Sequence, residues 1–71
     1  MKEAEIQAVA AADGAMSMTI PNRSTTLGYK VLINGLAQGK SEYSFISNSL
    51  NLPSTLNIIQ GDTITFQYLH P

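Results

Sequence analysis

The chain has 71 residues, no cysteine, and a formal charge of −1 from four Lys and Arg against five Asp and Glu. A chain of that length makes one domain at most and buries only about 60% of the surface its unfolded form exposes; without cysteine it has no disulfide, thiol chemistry or Cys-ligated metal. Charged residues are 13% of the sequence, against 22 Ser, Thr, Asn and Gln, so there is no basic patch for nucleic acid or an anionic membrane.

Residues 2–12 read as a short helix. Ala and Glu are strong helix formers, and Glu3 and Glu5 sit where the dipole of a helix start favours negative charge. Ile6, Val9 and Ala10 fall at helical spacing and form a thin apolar stripe. Asp13-Gly14 offers the stop. A helix this short is marginal alone, so the segment either docks, packs on copies of itself, or stays flexible. The same stretch lacks the basic start and apolar run of a secretory leader, and no apolar run approaches the roughly 20 residues that a membrane-spanning helix needs.

From Ala15 the period becomes two. Met16, Met18 and Ile20 alternate with Ser17 and Thr19 as a half-buried strand that Pro21 ends. A polar loop over residues 22–28 follows, containing the triplet Asn22-Arg23-Ser24, which fits the glycosylation sequon without implying modification. Residues 29–34 form a second strand that closes on the turn signal Asn34-Gly35. Residues 43–46 form a third, with Tyr43 and Phe45 on one face, and Asn48-Ser49 turns the chain. Leu50 and Leu52 mark a fourth strand, stopped by Pro53. Leu56, Ile58 and Ile59 form a connector that plugs one end of the core, Gly61-Asp62 turns again, and residues 63–68 are the cleanest strand, with Ile64, Phe66 and Tyr68 facing one way. The expected fold is mainly β: a small five-stranded sandwich or open barrel over residues 15–71, with a helical or flexible arm over residues 1–14.

No constellation for chemistry stands out, so the sequence suggests no enzyme, cofactor, catalytic residue or metal site. His70 is the single His and lacks the converging partners that a metal or a Ser/His/Asp triad requires, which makes a frayed terminal His the simpler reading. Asp62 is best read as bonding its own loop backbone, and Asn34-Gly35 as a hairpin turn. Residues 59–66, Ile-Gln-Gly-Asp-Thr-Ile-Thr-Phe, look like a cupredoxin strand, but a blue-copper site needs Cys and two His. Tyr43, Phe45, Phe66 and Tyr68 alternate as core residues. Tyr29 is left for an interface, together with Ile6, Val9 and Leu36.

Taken in order, Met18-Thr19-Ile20-Pro21, Val31-Leu32-Ile33-Asn34-Gly35, Glu42-Tyr43-Ser44-Phe45, Leu50 and Leu52, Gly61-Asp62-Thr63-Ile64 and Tyr68 resemble a short β-domain of tailed-bacteriophage virion proteins. That domain occurs in tail fibres and other appendages. The resemblance spans roughly residues 15–69 and implies a structural module without enzymatic chemistry, located in the virion and frequently trimeric. It implies partners among copies of the chain and a capsid or tail protein, with neither nucleic acid nor membrane bound. A lone module with an arm looks like a capsid-decoration, head-fibre or tail-adaptor subunit. The alternative is an adhesin-type module that binds a host glycan, with aromatic residues near Tyr29 or the loop over residues 35–41 as its platform.

Overall fold

A computed structural model of the chain describes residues 2–21 and 27–71. The polar loop expected over residues 22–28 and the Asn22-Arg23-Ser24 triplet fall largely or wholly outside the described residues. The described residues form seven strands: β1 (Lys2–Val9), β2 (Met16–Thr19), β3 (Gly28–Ile33), β4 (Leu36–Ala37), β5 (Ser44–Ile46), β6 (Ser49–Leu52) and β7 (Thr63–His70). Single 3-10 turns at Lys40–Glu42 and Ser54–Leu56 interrupt the connections. One antiparallel sheet has the order β1-β7-β3-β4, the other β2-β6-β5.

The expected mainly β, sandwich-like fold is what the chain adopts, but two details differ. Seven strands replace five: two-residue β4 is too short to show a period, and β1 stands where a helical or flexible arm was expected. More consequentially, residues 2–9 form a strand and not a helix. Every residue of β1 has a partner on β7, from Lys2 opposite His70 to Val9 opposite Thr63. The segment also carries a period of two: Ala4, Ile6, Ala8 and Ala10 turn inward, while Glu3, Glu5, Gln7 and Val9 are exposed. Helix propensity is a weak prior, worth a few tenths of a kcal/mol per residue, whereas a full ladder along β7 satisfies the backbone and buries Ile6. The small side chains have a steric role, since Ala4 and Ala8 lie opposite the bulkier Tyr68 and Ile64.

The core lies between the two sheets. Val31, Ile64 and Phe66 from the larger sheet meet Leu50 and Leu52 from the smaller, and Ile20, Tyr43, Ile58 and Ala10 close the ends. Phe66 and Phe45 touch across the gap with centroids 5.9 Å apart, and Tyr29 meets Phe45 at 5.3 Å. Edge-to-face contacts of this kind add about 0.5–1.5 kcal/mol each to simple burial. The expected plug is half right: Ile58 is buried and Leu56 packs on the core, while Ile59 points to solvent.

Truncating Phe66 to Ala removes the central residue of this cluster. We expect a loss of about 3–5 kcal/mol, enough to unfold most of a domain this small at 25 °C, read as the shift of a urea unfolding curve followed by circular dichroism.

Candidate functional site

Two turns at one end of the sandwich are joined by side chains. Asn34 and Gly35 both have positive φ, 51° and 83°, as the mirror-image two-residue hairpin turn between β3 and β4 requires. Asn34 Nδ2 donates to Asp62 Oδ1 at 3.0 Å, and the Thr63 amide donates to Asn34 Oδ1 at 2.9 Å. The Ile59 amide donates to Asp62 Oδ2 at 3.0 Å. Asp62 therefore does bond its own loop, and Asn34 ties that loop to the hairpin. Next to them, the Gly61 amide donates to the Ala10 carbonyl, and the Ala10 amide donates to the Asp62 carbonyl, both at 2.9 Å. Two residues thus face one in a bulge, with Gly61 at φ 94°. Asp13 Oδ1 accepts from the Gln60 amide at 2.8 Å. This network is structural: each acceptor is used by the backbone or by an amide.

Among the described residues, the strands of the smaller sheet place no charged side chain on its outer face. Its cross-strand rows are Ser17, Asn51 and Ser44, then Thr19, Ser49 and Ile46. Ile46 is 70% exposed. The outer face of the larger sheet is more polar, with Glu5, Gln67 and Lys30 in one row and Glu3, Leu69 and Gly28 in the next. A shallow groove of about 430 Å³ runs over these rows. Its lining holds the Glu3 and Glu5 carboxylates, the Lys30 ammonium, the Gln67 amide and the side chains of Tyr29 and Tyr68. A second open hollow, about 510 Å³, lies beside Ser17, Glu42 and Asn51. Among the described residues, no three of His, Asp and Glu gather as a metal site, and no helix is long and apolar enough to cross a membrane.

The four residues singled out for an interface divide evenly. Val9 and Leu36 are at the surface, 65% and 71% exposed. Ile6 and Tyr29 instead pack against the core. Ile6 and Val9 point to opposite faces of a strand, so the stripe expected from helical spacing does not exist. Tyr29 is stacked on Phe66 at 5.5 Å and lies beneath the Lys40 ammonium, 4.4 Å from its ring centre. His70 is not frayed: it ends β7 opposite Lys2, with its ring tilted against Tyr68 at 5.8 Å. Leu27 and Ile59, also more than half exposed, were not among the expected interface residues, and nothing in their local sequence separates them from core positions.

Compared with family models, with curated proteins and with solved structures, the chain matches none of them.

The hydrogen bonds from Asn34 and then from the Ile59 amide hold the Asp62 carboxyl below its ordinary value. Depression of the folded-state value means the stabilisation is present above the unfolded-state value and is lost as pH falls through the folded-state value. Melting temperatures measured between about pH 5 and pH 2 should fall more steeply for the wild type than for Asp62→Asn, which has no proton to gain there.

Proposed function

We propose that the chain is a structural subunit of a tailed-phage virion, either a capsid-decoration or head-fibre subunit or a tail appendage or adaptor, which acts by docking to copies of itself and to another virion protein. The observation that carries this reading is the outer face of the smaller sheet. Ser17, Thr19, Ser44, Ser49 and Asn51 offer donors and acceptors on strands that carry no charge there, with the Glu42 carboxylate at the rim, in the hollow beside Ser17 and Asn51. Covering such a face incurs none of the desolvation cost of buried ions and matches the depletion of charge at the centre of protein interfaces. Ile46, exposed on the same face, supplies the apolar part of such contacts, while Val9, Leu27, Leu36 and Ile59 are exposed elsewhere. The ordered resemblance over residues 15–69 supplies the virion context, and with it the expectation of trimers.

The glycan-binding alternative draws less support. Of its two expected platforms, Tyr29 has its ring against Phe66, Phe45 and Lys40, and the loop over residues 35–41 contains no aromatic residue.

Virion particles assembled with and without the protein should differ in electron micrographs by a discrete surface or tail density, and mass spectrometry should find the chain in the former. Ser17→Arg, at an exposed position on the same row as Asn51, is expected to leave stability within about 0.5 kcal/mol and to strip the protein from particles. Identical particles that contain none of the wild-type protein would overturn the reading.

A further inference from the structure

We infer that two copies of this chain join through the free edge of β1, pairing antiparallel about a two-fold axis at Ile6 so that the larger sheets merge into one. The inference rests on the self-assembly part of the reading above and replaces its threefold contact by a twofold one.

An open edge strand is an invitation to pairing that proteins usually blunt, by keeping it short or by inserting proline, a bulge or an inward-pointing charge. Three of the four edges here are short: β4 has two residues, β5 three, and β2 four with Pro21 just beyond. β1 is the exception. It runs eight residues and has no proline, its charges (Lys2, Glu3 and Glu5), which also blunt an edge, fall within its first four positions, and it turns Ala4, Ile6 and Ala8 inward at its centre. Among the described residues nothing pairs with its outer side.

The direction of its backbone groups follows from the ladder. The Ala10 amide and carbonyl both bond across to residues 61 and 62. In an antiparallel ladder this orientation alternates along the strand. Lys2, Ala4, Ile6 and Ala8 therefore bond to β7, while the amides and carbonyls of Glu3, Glu5, Gln7 and Val9 face outward from the edge. The other side of β7 agrees, since the Thr63 and Leu69 carbonyls accept from Asn34 and Leu27 on the β3 side.

Only edge-facing residues can pair with edge-facing residues, which leaves few registers. An axis on Glu5 sets Glu5 against Glu5, and an axis on Ala4 sets Glu3 against Glu5 twice. An axis on Gln7 shortens the overlap. With the axis on Ile6, Glu5 opposes Gln7, Glu3 opposes Val9, Ala4 opposes Ala8 and Ile6 opposes itself. All four edge-facing residues of each copy are then used, in about eight backbone hydrogen bonds, and no like charges are directly opposed. The inward residues continue the apolar face from one copy to the other. The two Glu5 carboxylates lie on a diagonal, so association should tighten as salt screens them.

Sedimentation equilibrium of the full chain, in a series reaching hundreds of micromolar, should show a monomer–dimer equilibrium that tightens with ionic strength. Gln7→Pro removes an edge-facing amide and leaves the β7 ladder intact; it should weaken association on the order of a hundredfold while the circular dichroism spectrum stays β. Because the chain has no cysteine, single-cysteine variants report the register directly: Ile6→Cys should cross-link into disulfide dimers on oxidation and Glu5→Cys should not. A wild type that stays monomeric, or preferential cross-linking of Glu5→Cys, would overturn the proposal. A trimer, or a dimer that Gln7→Pro leaves unchanged, would overturn the edge contact alone and leave self-assembly in place.

Discussion

Everything in this fold leans on β7. It lies between β1 and β3, contributes Ile64 and Phe66 to the core, and brings the bulge at Gly61 against the turn that follows β1. Its inward face carries three aromatic rings in succession, from Phe66 through Tyr68 to His70, each within 6 Å of the next. Its outward Thr65 is also buried, flanked by Gln7 and Leu32. Strand β7 is thus buried along its inner face and at Thr65 on the outer one, and hydrogen-bonded on both sides, while every other strand of this sheet is more exposed. A marginal domain without disulfides gains its order by concentrating contacts on one strand.

Where alternation was strong and the residues were β-branched or aromatic, the sequence disclosed the strand directly. Residues 63–68, 29–34 and 16–20 read correctly because packing and propensity agree there, and each boundary moved by only a residue or two. At Asn34-Gly35 the turn chemistry was explicit. Residues 2–9 failed for a definite reason: alternation and helical spacing were both present, and alanine hid the first behind the second. Ala4 and Ala8 are small because Tyr68 and Ile64 fill the space opposite them, a fact that belongs to a strand some sixty residues away. No local rule contains it.

The candidate surfaces were less visible than the fold for the same reason. Whether Tyr29 faces a partner or the interior depends on Phe45 and Phe66, which arrive from different sheets. Ile6 became a core residue once its segment became a strand. The uncharged face of the smaller sheet was foreshadowed only as a low content of charge; its rows of hydroxyls and amides required the β2-β6-β5 order to assemble them. The pairing of Asn34 with Asp62 likewise joins two turns that each looked self-sufficient.

The pairing of β1 with β7 also governs when the molecule takes shape. Within these residues β1 comes first in sequence and β7 last, so β1 cannot pair until every strand between them has been made. Until then β1 and β3 have no common neighbour, and the inward faces of both remain open to water. Closing so long a loop before any contact rewards it slows folding, and half-made chains with bare strands are those most prone to clump. Lys2 and His70 end as neighbours, so the ladder that holds the larger sheet together is also its most non-local contact.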